Sequence, residues 1–221
     1  MIFFSTSNFH VTLSDAWSEQ YSRIIARFSS VITAQFYGHT HYDEFNVFYN
    51  TSSWQPINIG YLGPSLTPHD GLNPGYRIYI TDSKREEASH AVLDHQTYYV
   101  DLTEANRDNR TTSLDFRLEY SALSSLGLQD LSPTSWGRYV ETLATNDTEW
   151  QAFYQRYSRG GEFSSRACEG DCRLDIVCRL VTFQSGDHHM CQQMKLLVAE
   201  EEYDLFDDLL EEDGDWWDEE F

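Results

Sequence analysis

The chain has 221 residues, 40% hydrophobic and 15% aromatic, enough for one large or two small domains with real cores. Its net charge is −21, yet thirteen Asp and Glu with no Lys or Arg lie between Glu200 and Phe221, so most of that charge belongs to a tail. No basic stripe offers a nucleic-acid surface, and no run of about 18 apolar residues could cross a membrane.

Residues 13–28 predict the clearest helix. Leu13, Trp17, Tyr21, Ile24, Ile25 and Phe28 recur on one apolar face, with Ser14 as N-cap and Asp15 at the positive helix end. Val31–Tyr37 reads as a buried strand broken by Gly38. Glu44–Tyr49 is a second strand, Asn50–Pro56 a turn and Ile57–Leu62 a third strand. "PSLTPHDGLNPG" is a loop by its Pro, Gly and Asn content, and Tyr76–Ile80 and Ala91–Val100 are further strands. Beyond Leu102 the pattern becomes helical, over Phe116–Leu126, from Pro133 through Leu143 behind a Ser132 cap, around Trp150–Tyr157, and over 173–184. A division near residue 105 is therefore expected. Residues 1–105 are mixed, 106–195 helical, and 196–221 a solvated acidic tail.

Four cysteines, Cys168, Cys172, Cys178 and Cys191, crowd into one stretch, and sequons occur at Asn50, Asn109 and Asn146. Both marks suggest an oxidising, secretory environment. The four cysteines alone allow three pairings. The opening Met1-Ile2-Phe3-Phe4 is too short for a signal peptide. The expected resolution is a piece of a longer protein, or a gene model without its true start.

The segment "GHTH" carries the chemistry. In extended backbone His39 and His41 point the same way, roughly 6.5–7 Å apart at Cα. Paired hydrolytic metals sit about 3.5–4 Å apart, so one imidazole can reach each. Gly38 would let backbone approach closely, and neutral imidazole suits zinc. The bland alternative is two ordinary polar residues at a strand end. Asp94 and His95, adjacent on a strand, face opposite sides and make no dyad. His90, His95, His188 and His189 have no spacing that recommends them as ligands.

"GHTHYDEFNVFY", "LNPGYRIY", "LDHQTYYVDLTEAN" and the spacing of "CEGDCRLDIVCRL" with Cys191, in this order, closely resemble the acid sphingomyelinase family of calcineurin-like metallophosphoesterases. The likeness runs from about Trp17 to Cys191 and implies an α+β fold: the C-terminal part of a metallophosphoesterase sheet and helix layer, then a disulfide-tied helical region. It implies that His39 ligates one zinc and His41 the other, and that Cys168 pairs with Cys172 and Cys178 with Cys191. His69 stands where the family usually has Tyr facing the active site, so it is a candidate headgroup contact; a solvated loop histidine is the equal alternative. The resemblance implies a lysosomal or extracellular enzyme acting on sphingomyelin or a related phosphodiester lipid.

A two-zinc site also needs a bridging carboxylate and more histidines, which the family supplies upstream in D-x-H, G-D-x-x-D and G-N-H segments. "DHH" at 187–189 and "GDWWD" at 214–218 match two of these by chance, on the wrong side of "GHTH". His10 precedes the first helix where a ligand histidine could stand, but its surroundings do not match the family's loop. The expectation is a partial zinc phosphodiesterase, inactive alone and lacking the N-terminal catalytic half. The alternative is a truncated, non-catalytic product acting as a folding or interaction module.

Overall fold

The computed structural model describes residues 2–5, 15–84, 86–107 and 115–199. Strand β1 (Ile2–Ser5) precedes helix α1 (Asp15–Arg27), which is followed by β2 (Ala34–Tyr37), β3 (Glu44–Tyr49) and β4 (Pro56–Leu62). These strands form one sheet in the order β1-β2-β4-β3. The pairs β1–β2 and β2–β4 are parallel, and β3 runs antiparallel to β4. The expected Ser14 cap lies outside the described residues, but Asp15 in the first turn and Arg27 in the last match the helix dipole. Only part of the expected apolar face is covered. Ile25 is fully buried, while Trp17 stays 69% exposed, with Ile24 and Phe28 also exposed. Strand β2 starts later than its apolar run suggests. The N–H groups of Val31 and Ile32 bond back to the Phe28 carbonyl and close the helix-end turn instead.

A second, antiparallel sheet has the order β5 (Gly75–Thr81), β6 (Val92–Tyr99), β7 (Arg117–Ser121), with a short helix α2 (Leu102–Arg107) between β6 and β7. The expected helix over Phe116–Leu126 is overturned here. Residues 117–121 are strand, and only α3 (Ala122–Ser125) is helical. The free edge of β6 supplies a ladder, with Thr97 opposite Tyr120. Extended backbone brings the Tyr120 hydroxyl to Asp43. Tertiary pairing outweighs helical propensity in so short a segment.

The remaining elements are helical: α4 (Pro133–Thr145), α5 (Asp147–Tyr157), α6 (Asp171–Val181) and α7 (residues 189–199). Ser132 caps α4 by accepting the Ser135 N–H, and Asn146 caps α5 by accepting that of Glu149. Disulfides join Cys168 to Cys172 and Cys178 to Cys191, with Cα separations of 5.1 and 4.6 Å. The main core draws Phe36, Phe45 and Tyr61 from the first sheet, Tyr120 from the second, and Trp136, Leu143, Trp150, Tyr157, Leu180 and Met194 from the helices. Residues on both sides of position 105 thus share one core. Phe45 packs on Trp136 with ring centroids 4.3 Å apart. A smaller cluster of Ile25, Ile32, Phe48 and Phe183 seals α1 to the rest.

Candidate metal centre

Parallel strands place their C-terminal ends at one edge, where α/β sheets gather functional loops. At that edge β2 ends with Tyr37 and β4 with Leu62, which pair in register, and the Gly63 N–H bonds to the Tyr37 carbonyl. The loop after β2 carries His39 and His41, and the loop after β4 carries His69.

His39 and His41 do not continue the strand. Their φ angles are 97° and 68°, so a bend rather than extended alternation sets their directions. The simple i, i+2 strand geometry is corrected on this point. Among the described residues nothing lies within 4 Å of where a Cβ on Gly38 would stand. His39 is exposed and His41 half-buried. No hydrogen bond among the described residues holds either ring.

The bend is fixed immediately downstream. The Asp43 N–H donates to the Tyr157 carbonyl at 3.0 Å. The buried Asp43 carboxylate pairs with the Arg77 guanidinium and accepts the hydroxyls of Tyr120 at 2.9 Å and Thr97 at 3.0 Å. Such an ion pair is secure because both carboxylate oxygens have donors. Glu44 is also buried, and that burial raises its carboxyl pKa against the opposing pull of Arg179. Tyr42 stacks on Tyr157 with centroids 4.3 Å apart. The histidine loop therefore leaves a rigid base.

His69 opens a short 3-10 turn, His69–Gly71, in which Asp70 takes a left-handed φ of 55°. The ring of His69 meets that of His41 edge to face, 5.8 Å between centroids, and its Nδ1 lies 3.0 Å from Asp70 Oδ2. The structure thus brings His41 and His69 together from separate loops. His95 is elsewhere, buried among Tyr61, Tyr79, Tyr120 and Trp136. Burial, with Arg77 nearby, holds its pKa well below the usual histidine value. Asp94 turns instead to the Ser121 hydroxyl. His189 stacks on Trp54, and its N–H bonds Asp187 Oδ1. His10, Asn109 and residues 200–221 lie outside the described residues, whereas residues 196–199, expected to open the acidic tail, continue α7. Asn50 accepts the N–H groups of Ser52 and Ser53 in the turn after β3.

Sequence reasoning missed the Asp43–Arg77–Tyr120 cluster. Its one signal is Arg77, a permanent charge inside an otherwise Tyr/Ile strand, which needs a partner if buried.

Zinc takes imidazole nitrogen readily, usually with four ligands. His39 and His41 fit as part of such a donor set. Among the described residues, no group of three or more His, Cys, Asp or Glu is arranged to hold a metal.

Comparison with known proteins supplies the family. Residues 55–197 match the profile described as the acid sphingomyelin phosphodiesterase C-terminal region. A sphingomyelin phosphodiesterase of Bos taurus is 37% identical over 180 residues, covering 81% of this chain and 28% of the relative. Sphingomyelin phosphodiesterase 1 of Caenorhabditis elegans is 39% identical over 179 residues, covering 79% of this chain and 29% of the relative. A cyclic GMP-AMP phosphodiesterase of Mus musculus is 31% identical over 186 residues, covering 81% of this chain and 40% of the relative. The chain spans less than a third of the length of those sphingomyelin phosphodiesterases. It belongs to the acid sphingomyelin phosphodiesterase family, whose C-terminal region it carries.

Proposed function

We propose that this chain is the C-terminal part of a zinc phosphodiesterase that hydrolyses sphingomyelin to ceramide and phosphocholine. The observation that carries the reading is the placement of His39 and His41 at the C-terminal edge of parallel strands, with both rings outside any hydrogen bond among the described residues. In this reading His39 serves one zinc and His41 the other. Residues 1–105 belong to the catalytic domain and 106–195 to the helical region that braces it.

Bound zinc would polarise the phosphoryl oxygens and supply an activated water. This chain's own part is to hold the two imidazoles on a loop that Asp43, Arg77 and Tyr157 keep from yielding. His69, whose ring meets that of His41, would contact the headgroup in this reading. In this reading the remaining ligands, including the bridging carboxylate, and the proton donor to the ceramide oxygen would come from the part of the relatives' length that this chain does not span. The disulfides suit a lysosomal or extracellular setting. Among the described residues no helix is long and apolar enough to cross a membrane.

A phosphodiester is common to the substrates that the relatives' names imply. Sphingomyelin is preferred because the two relatives named for it above are the more similar, at 37% and 39% against 31% identity. The test joins this chain to its upstream catalytic sequence and compares zinc-dependent hydrolysis of sphingomyelin and of a cyclic dinucleotide. Faster sphingomyelin turnover is expected; turnover of the cyclic dinucleotide alone would overturn the choice.

A second reading, a non-catalytic folding or interaction module, draws support from the shared core and the two disulfides, which tie the helical region together. The transcript upstream of Met1 discriminates. A continuous frame carrying D-x-H, G-D-x-x-D and G-N-H supports the enzyme, and a stop codon in frame supports the module.

A further inference from the structure

We propose that the turn Tyr157–Gly161, at the C-terminal end of α5, is a positioning clasp that holds the His41 loop and the His69 loop against each other. That this sets the surface met by a phosphodiester headgroup rests on the function proposed above.

The turn grips each loop separately. Towards His41, the Tyr157 carbonyl accepts the Asp43 N–H at 3.0 Å and the Tyr157 ring stacks on Tyr42. Towards His69, the Arg159 carbonyl accepts the Asn73 side-chain N–H at 3.0 Å, and Arg159 Nε donates to the Asn73 carbonyl. The Asn73 side-chain oxygen in turn accepts the Leu102 N–H at 3.0 Å. Gly161 packs so tightly that a methyl group there would overlap the Gly71 carbonyl. At Gly75 an added Cβ would come 2.5 Å from Arg159 Cδ.

The clasp is costly in ways that general packing would not require. Arg159 has a left-handed φ of 54°, uncommon for a residue with a side chain. It is fully buried, yet Nη1 and Nη2 find no hydrogen-bond partner among the described residues. Removing a guanidinium from water with only Nε hydrogen-bonded, and with Asp43 and Glu119 as its nearby counter-charges, opposes folding. The arrangement delivers two opposed bonds to one residue, Asn73, and so fixes both position and orientation of the segment that leads out of the His69 turn. The loop needs such a hold, because its tip from Leu66 to Gly71 is exposed.

The test is the contact between the His41 and His69 rings, read by NMR as a cross-ring nuclear Overhauser effect in the histidine-labelled chain with disulfides intact and no metal added. Its outcome is therefore independent of the zinc reading. Gly161→Ala places a methyl against the His69 loop without demanding a left-handed backbone. Gly160→Ala strains the same turn at φ 59° but meets nothing within 4 Å. The expected result is loss of the His41–His69 signal in Gly161→Ala, unchanged Trp136 and Trp150 indole resonances, and retention of the signal in Gly160→Ala. Retention in Gly161→Ala, or equal loss in both variants, would overturn the proposal. If Gly161→Ala does not fold, Asn73→Ala decides by the same measurement. Loss with an intact core supports the clasp. Retention, or unfolding of this variant too, overturns it by making these groups general supports of the core.

Discussion

Tyr42 lies on Tyr157 with ring planes 15° apart, which joins the residue after His41 to the last turn of α5. The adjacent main-chain bond from Asp43 to Tyr157 repeats the link, so the helical region holds the histidine loop at two successive residues.

Asp43→Ala is expected to destabilise the chain by about 3–5 kcal/mol, because it leaves Arg77 buried without its counter-charge. Tyr120→Phe removes one hydroxyl donor from the same carboxylate and should cost about 1–3 kcal/mol. Chemical denaturation of both variants at neutral pH checks the ordering. Equal, small losses would show that the pair is solvated rather than buried.

Glu119 predicts a pH dependence. Burial, with Asp43 nearby, pushes its carboxyl up to about 9, although Arg159, Arg156 and Arg77 oppose the shift. Its Oε2 is buried without a hydrogen-bond partner among the described residues. A folded pKa above the unfolded value of 4.5 means that stability is fully present below pH 4.5. It is lost progressively as pH rises towards 9. Glu119→Gln, which cannot ionise, should match the parent in melting temperature near pH 4 and exceed it increasingly towards pH 9. Parallel melting curves across that range would contradict the burial of this carboxyl.

The two disulfides should differ in weight. Cys178–Cys191 spans thirteen positions and Cys168–Cys172 four, so the longer loop should stabilise more, by about 1 kcal/mol in the chain-entropy picture. The shorter bond pins a turn whose Cys168 carbonyl accepts the Trp150 indole N–H at 2.6 Å. Paired Cys→Ser variants, compared by urea midpoint at equal slope, measure the difference. A greater loss from the Cys168/Cys172 pair would mean that holding this carbonyl against the Trp150 indole outweighs the loop-length effect.

This chain by itself is expected to show no appreciable phosphodiesterase activity, because among the described residues no carboxylate joins His39 and His41 to set a metal pair. A chromogenic phosphodiester with added zinc provides the assay. Zinc-dependent turnover abolished by His39→Ala would contradict this expectation.

Much of the architecture was legible in the sequence because its signals are local. The α1 periodicity, the Ser132-Pro133 cap and the strand-forming residues of β5 and β6 all act within a few residues. β7 was misread because its extended form depends on the edge of β6 and on Asp43, both far away in sequence. The backbone at His39 and His41 was misread for a related reason: an apolar strand predicts its own continuation, whereas the bend is dictated by Asp43 and Tyr157. The closeness of His69 to His41 had no local signal, since it depends on how two loops are anchored.

The most direct test of the central claim is zinc content, turnover and metal-free melting temperature, measured together, in the complete enzyme carrying His39→Ala or His41→Ala. Both rings lie outside the buried core, so removing either leaves no cavity, and metal-free stability should move by no more than about 0.5 kcal/mol. Zinc content and turnover should fall together. Full zinc content and activity in His41→Ala, with a metal-free melting temperature lowered by many degrees, would make the histidines structural and contradict the assignment of the site.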